Sequence, residues 1–183
     1  MPNANYSVAP SSSCLTANNF FFTNSSSVSS GSMQYLWDFG DFITSTQASP
    51  NHQYNVDDTF SIKLTATTIY GCSDSLEKSV IVFPQPAADF SIADSSQCFD
   101  NNAFGFVNLS SISSGSLSYY WDFGDGSSST VQSPVHSYAY ADTFLVKLVV
   151  TSANGCQDSI IRTTYLQVNP NPSAAFSIND STQ

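Results

Sequence analysis

Positive charge is almost missing from this 183-residue chain: Lys63, Lys78, Lys147 and Arg162 stand against 14 acids, for a formal net charge of −10. A field of that sign repels nucleic acid and anionic lipid, which excludes both as expected partners. Charge of either sign is scarce, at 10% of residues, so the polar surface must come from Ser, Thr, Asn and Gln. That composition favours strands and turns over helices and is common among exported bacterial proteins. The chain has no run of 18 apolar residues, so no membrane insertion is expected. Met1 leads into Pro2-Asn3-Ala4-Asn5, with neither the basic start nor the apolar core of a signal peptide. Met1 is therefore expected to be an initiator placed ahead of a segment of a longer protein. No window sustains an i, i+3, i+4, i+7 apolar pattern, which speaks against helices.

What the chain does contain, it contains twice. Trp-Asp-Phe-Gly-Asp occurs at Trp37–Asp41 and again at Trp121–Asp125, and 121 − 37 = 84. The same offset carries Cys14 onto Cys98, Phe20 onto Phe104, Pro50 onto Pro134, His52 onto His136 and Tyr54 onto Tyr138. It also carries Asp58-Thr59-Phe60 onto Asp142-Thr143-Phe144, and Gly71-Cys72 onto Gly155-Cys156. A polar residue that recurs in register belongs to the fold, whereas a unique active site sits in one copy. The repeat thus argues against an enzyme, and no catalytic residue is assigned. Both His residues fall at one repeat-equivalent position, so a Ser–His–Asp site would have to exist twice.

Four cysteines allow three pairings. The repeat favours Cys14–Cys72 and Cys98–Cys156, because each module then closes on itself over a loop of 72 − 14 = 58 residues. Such a bridge is worth ~4 kcal/mol in the chain-entropy model and persists only in an oxidising compartment. Zinc is the rival reading, but no C-x-x-C pair exists and His52 and His136 lie far from the cysteines in sequence.

Period-two alternation supplies the strands. Phe60, Ile62, Leu64 and Ala66 share one face, and Phe144, Val146, Leu148 and Val150 share its counterpart. Phe20 and Phe22, Phe104 and Phe106, and Tyr35, Trp37 and Phe39 alternate likewise, between turn signals such as Ser30-Gly31-Ser32, Gly40-Asp41 and Tyr70-Gly71. Short alternating strands around one central Trp, in about 84 residues, predict an all-β fold of two tandem antiparallel β-sandwiches. The expected domains are residues 1–85, 86–172 and, at 173–183, the first strand of a truncated third repeat. Pro84-Gln85-Pro86 and Pro170-Asn171-Pro172 mark the boundaries as extended connectors. Ala174-Ala175-Phe176-Ser177-Ile178 restates Ala87-Ala88-Asp89-Phe90-Ser91-Ile92 at an offset of 176 − 90 = 86, which places a two-residue insertion near Ile161–Leu166.

These residues resemble the polycystic kidney disease (PKD) domain family. Its pattern is an aromatic strand entering a W-D-F-G-D-G turn, then P-x-H-x-Y, then a G/D-T-F/Y strand opening. The second repeat matches throughout, from Trp121, Asp122, Gly124, Asp125 and Gly126 through Pro134, His136 and Tyr138 to Asp142. The first matches through Trp37, Asp38, Gly40, Asp41, His52 and Tyr54, but has Phe42 where the last glycine of the turn stands. The resemblance implies an immunoglobulin-like sandwich used extracellularly, as a secreted or cell-surface spacer or adhesion module. The cysteine pair, with its Y-G-C and N-G-C sequences, is similar to PKD repeats in large surface proteins of gliding bacteria that use type IX secretion. Implied partners are neighbouring modules of the same protein, other chains in a fibre, and glycans.

On physical grounds, Asp38 and Asp41 flank a glycine in a tight turn and are expected to accept backbone N–H bonds. His52 and Tyr54, two apart on one strand face, are expected to pack on that turn. Calcium is the cofactor to weigh against none, since Asp38, Asp41, Asp57 and Asp58 offer hard oxygens. No D-x-D-x-D-G loop is present, however, and Asp57 becomes Ala141 in the second repeat, so turn capping is the preferred reading and no metal is assigned. Phe21 and Phe42, matched by Gly105 and Gly126, are the candidate contact residues. If Gly126 supplies a positive φ that Phe42 cannot reach without strain, the two turns should differ. Leu145 and Val149 replace Ser61 and Thr65 on an outer face. Asp74-Ser75-Leu76, Asp158-Ser159-Ile160 and Asp180-Ser181-Thr182 resemble the D-S/T-aliphatic-or-Thr signal for O-glycosylation in such bacteria, a resemblance that implies Ser75, Ser159 and Ser181 as candidate sites. The expected function is a non-enzymatic stalk, adhesin or fibre module, with an accessory module of a secreted hydrolase as the alternative.

Overall fold

The computed structural model describes residues 1–162 and 165–176, and these contain strands but no helix. They form two compact units. The first comprises Met1–Gln85 together with Ile112–Gly115 and Ser152–Cys156, two loops borrowed from the second repeat. The remainder of the second repeat forms the other unit.

In the first unit the strands are β1 (Tyr6–Ala9), β2 (Ser12–Cys14), β3 (Phe20–Asn24), β4 (Met33–Asp38), β5 (Thr44–Ser45), β6 (Asn51–His52), β7 (Asp58–Thr68) and β8 (Ser73–Phe83). One sheet runs β1-β3-β6 and the other β2-β8-β7-β4-β5. All pairings are antiparallel except β2 with β8, which is parallel. Alternation does what the pattern requires: Phe60, Ile62, Leu64 and Ala66 of β7 are buried, while Ser61 and Lys63 between them are exposed. Phe20 and Phe22 enter the core from the facing sheet, and Trp37 fills its centre edge-on against Tyr6, with ring centroids 4.9 Å apart. Burial of each such aromatic contributes about 1.5–3 kcal/mol.

The second unit repeats this plan with β9 (Phe90–Ile92), β10 (Ser96–Cys98), β11 (Phe104–Asn108), β12 (Leu117–Asp122), β13 (Ser128–Ser129), β14 (Val135–His136), β15 (Thr143–Phe144), β16 (Lys147–Ser152), β17 (Gln157–Ile161) and β18 (Leu166–Asn169). Its sheets are β9-β11-β14, β13-β12-β16-β17 and β10-β18-β15. The long β7 and β8 of the first copy are each broken in two here. Ser12 opposes Ile81, whereas its counterpart Ser96 opposes Gln167, so the offset has grown from 84 to 167 − 81 = 86 by β18. The inserted residues therefore fall between β17 and β18, within the stretch the sequence singled out.

Ala174, Ala175 and Phe176 are exposed and form no strand, with Phe176 88% exposed. The remainder of the expected third-repeat strand, with Ser181, lies outside the described residues.

Candidate functional site

The turn that follows Trp37 is built from its own side chains. An Asp38 carboxylate oxygen accepts the Gly40 N–H at 3.0 Å, and Asp41 Oδ1 accepts the Ile43 N–H at 3.1 Å. The other oxygen of Asp41 meets His52 Nε2 at 2.7 Å, and the His52 ring stacks on Phe39, centroids 4.2 Å apart and 3° from parallel. Tyr54 donates its buried hydroxyl to the Phe39 carbonyl at 2.9 Å, and the Trp37 indole N–H donates to the Gln47 carbonyl at 2.9 Å.

The second copy reproduces each bond: Asp122 to Gly124 N–H at 3.0 Å, Asp125 to His136 at 2.8 Å, Tyr138 to Phe123 at 2.9 Å, and Trp121 to Val131 at 2.9 Å. Desolvation raises both the Tyr54 and Tyr138 hydroxyls well above the usual phenol range, so they stay donors. The partial burial of Asp125 would raise its pKa, but hydrogen bonds from Ser127 and His136 outweigh this and hold it below the usual carboxylate range. Among the described residues no buried side-chain N or O lacks a hydrogen-bond partner.

Asn18 and its counterpart Asn102 escaped the sequence reading. Asn18 accepts the Tyr54 N–H at 2.8 Å and donates to the Tyr54 carbonyl at 2.8 Å, closing a two-bond clamp that Asn102 repeats on Tyr138. The signal that could have found them was the 84-residue offset, which carries Asn18 onto Asn102.

The two turns do not differ in the way the sequence suggested. Phe42 takes φ +70° and Gly126 φ +89°, and the closing bonds match, Phe39 N–H to Ile43 and Phe123 N–H to Ser127, each 3.2 Å. The carboxylate bonds on both sides of the turn impose a left-handed residue there whatever its side chain. Phe42 accepts the strain and projects wholly into solvent, at 105% exposure. Phe21 is exposed beside Asn51, the residue before His52. Leu145 is also exposed, and Val149 is half-buried.

The expected pairing of cysteines is overturned. Cys14 is bonded to Cys156, and Cys72 and Cys98 are exposed free thiols. The register explains it. Cys14 lies opposite Phe83, the last residue of β8, whereas Cys72 precedes the first. Eleven residue steps along a strand span ~36 Å, but a disulfide needs Cα atoms within roughly 7 Å. A module closing on its own cysteines is thus geometrically forbidden. The Cys14 and Cys156 Cα atoms are 5.6 Å apart.

Asp57 accepts a hydrogen bond from Ser113 at 3.1 Å, and Asp58 caps its own strand by accepting the Thr59 N–H at 2.7 Å. Among the described residues no group of three or more His, Cys, Asp or Glu side chains is gathered to hold a metal. Ser75 and Ser159 are exposed on β8 and β17, while the preceding carboxylates Asp74 and Asp158 accept the Ala4 and Ala88 N–H groups, each at 2.8 Å. No helix among the described residues is long and apolar enough to cross a membrane.

Two immunoglobulin-like β-sandwiches sharing one set of turn, clamp and core residues define a tandem-repeat module protein. The PKD domain family matches residues 1–83 and 84–168, and the chain belongs to that family. It is similar to the pre-pro-metalloprotease PrtV of Vibrio cholerae, 38% identical over 73 residues, which are 37% of this chain and 8% of that protein. It is also similar to a microbial collagenase of Vibrio alginolyticus, 35% identical over 63 residues, 34% of this chain and 8% of that protein. The chain thus spans less than a tenth of either relative. The crystal structure of the PKD1 domain of Vibrio anguillarum Epp is 34% identical, covering 46% of this chain and 95% of that one, with a TM-score of 0.40.

Proposed function

We propose that the chain is a non-enzymatic, extracellular structural module, a tension-carrying segment of a stalk, adhesin or fibre at the cell surface. The observation that supports this reading is the Cys14–Cys156 bond, which ties the first repeat to the second across 142 residues of sequence. A bridge of this kind persists in an oxidising compartment. It also lets tension bypass the chain between the two cysteines. The polar residues that could serve chemistry, His52 and Asp41 among them, are used in both copies to hold the turn.

Single-molecule pulling from the two termini tests the reading. The 142 residues between the cysteines amount to ~500 Å of extended chain. Reduction should therefore lengthen the fully extended chain by about that amount. An oxidised chain that stretches as far as the reduced one contradicts the proposal.

A second reading, an accessory module that contacts a glycan or protein substrate for a secreted hydrolase, draws on Phe42. A fully exposed aromatic in a left-handed conformation costs about 1–3 kcal/mol with no packing in return, and such strain concentrates at functional positions. Phe42 follows Asp41 in the chain, and Phe21 is paired with Asn51, the neighbour of His52. The names of the metalloprotease and collagenase relatives fit this use. Loss of binding to polysaccharide or collagen on Phe42→Ala and Phe21→Ala would support it, and no binding by the parent chain would rule it out.

A further inference from the structure

Two thiols remain open, and they are not equivalent. Cys98 is the counterpart of Cys14: it ends β10 beside Asn169 of β18 in the parallel register that Cys14 holds beside Phe83. The next residue repeats the match, since Phe99 donates its N–H to Asn169 as Leu15 does to Phe83, at 2.8 and 2.9 Å.

Cys72 is the counterpart of Cys156, in the hairpin that joins β7 to β8. Thr68 N–H donates to the Cys72 carbonyl and Gly71 N–H to the Thr68 carbonyl, at 2.8 and 2.9 Å, and Ser152, Cys156 and Gly155 repeat both bonds at the same distances. The hydroxyl before each cysteine is also shared: Cys72 N–H donates to Thr68 Oγ1 at 3.2 Å, and Cys156 N–H to Ser152 Oγ at 3.1 Å. Gly71 and Gly155 adopt φ +82° and +83°. Each free thiol is therefore presented by the same backbone frame as a cysteine that is bonded in this molecule. Only the partner is missing: Cys156, which has one, is 1% exposed, while Cys72 and Cys98 are exposed.

We infer that Cys98 and Cys72 are the two complementary halves of one repeating bond. The strand-end cysteine of each PKD copy is oxidised onto the hairpin cysteine of the copy that follows. Cys98 takes the hairpin cysteine of a following copy, and Cys72 takes the strand-end cysteine of a preceding one. Residues 174–178, which restate the opening of the second repeat, show in sequence how a following copy would be joined. The Asp57–Ser113 hydrogen bond is not part of this rule, because the counterpart of Asp57 is Ala141. The disulfide is the element that both copies are equipped to make.

The linkage deepens the stalk reading by naming the partner of each thiol, and it has a polarity: strand-end to hairpin, never like to like. Each bond forms as two thiols surrender two protons and two electrons to a disulfide oxidant. With oxidised glutathione the thiolate first forms a mixed disulfide, which the second thiolate then displaces, leaving two molecules of reduced glutathione.

The polarity gives the test. The full chain carrying Cys72→Ser retains only the strand-end thiol, and the full chain carrying Cys98→Ser retains only the hairpin thiol. Both positions are exposed, and an intact Cys14–Cys156 bond, verified by peptide mapping, certifies the fold of each variant. An equimolar mixture in a glutathione buffer should form a covalent heterodimer joined through Cys98 and Cys72. Its formation should outrun either homodimer by about tenfold, the effect of a docking preference of only about 1.4 kcal/mol. Homodimers that form as fast as the heterodimer, or thiols that stay free in that buffer while Cys14–Cys156 persists, overturn the inference. Either outcome leaves the stalk reading standing, since that reading rests on Cys14–Cys156 and is judged by extension under tension.

Discussion

Gly40, like its counterpart Gly124, sits where an added methyl has no room, and replacing it with alanine measures how tightly the turn is pressed onto the sheet. A Cβ added to Gly40 lies 2.6 Å from the carbonyl oxygen of Ser61, in the middle of β7, where Ser61 is paired with Ser79. That oxygen is backbone of a strand held in register against β8, so it cannot swing aside as a side-chain end would. Gly40 also has φ +80°, for which an L-residue forfeits roughly 1–2 kcal/mol. Overpacking adds about 1–3 kcal/mol. Together these give ~2–5 kcal/mol lost from the first unit.

Gly71→Ala separates the two contributions. Gly71 has φ +82°, but an added methyl there would meet nothing within 4 Å, so only the conformational penalty of ~1–2 kcal/mol applies. Urea denaturation followed by Trp37 fluorescence, in a Trp121→Phe background, reads the first unit alone. Gly40→Ala should lower the midpoint two- to threefold more than Gly71→Ala does. Equal losses, within ~0.5 kcal/mol, would refute the claim that the Ser61 carbonyl restricts this turn.

Three further outcomes are expected. Phe42→Gly should stabilise the first unit by about 0.5–1 kcal/mol, the left-handed penalty less the entropic cost of glycine, and an unchanged urea midpoint would count against strain at φ +70°. Because the Asp125 carboxyl is depressed in the folded state, its contribution to stability is fully present above the unfolded value near ~3.9 and fades as pH falls through the folded one. Ser127→Ile, which copies the Ile43 of the first repeat, should shrink that acid-limb loss in the second unit, as read by Trp121 fluorescence across the acid range. Ser75 and Ser159, exposed after Asp74 and Asp158, are proposed to carry O-linked sugar in the natively produced protein, and an intact mass equal to the bare polypeptide would end that idea.

Much of the architecture is local in origin and therefore visible in the chain itself. Alternation of Phe60, Ile62, Leu64 and Ala66 assigns a buried face because a strand has period two, whatever it packs against. The turn chemistry of Asp38, Gly40 and Asp41 is likewise decided within a few residues, by carboxylates reaching N–H groups two positions on. The repeat doubled every such signal and located the two-residue insertion from spacing alone. Asn18 carried the same signal, but its clamp on Tyr54 joins residues 36 apart and becomes readable only when β3 and β6 are neighbours.

Tertiary structure alone decided the cysteines. In sequence the repeat favours a bridge inside each module, Cys14 to Cys72, because an offset of 84 relates the cysteines without saying where they lie. The parallel pairing of β2 with β8 puts Cys14 at the end of an 11-residue strand whose other end carries Cys72. That length, not sequence separation, forbids the shorter loop, and Cys14 is bonded to Cys156 instead. Phe42 follows the same logic: propensity disfavours its left-handed φ, and the hydrogen bonds that close the turn impose it. Short-range chemistry thus determined the strands and turns, while the register between distant strands excluded the covalent bond that the repeat alone suggested.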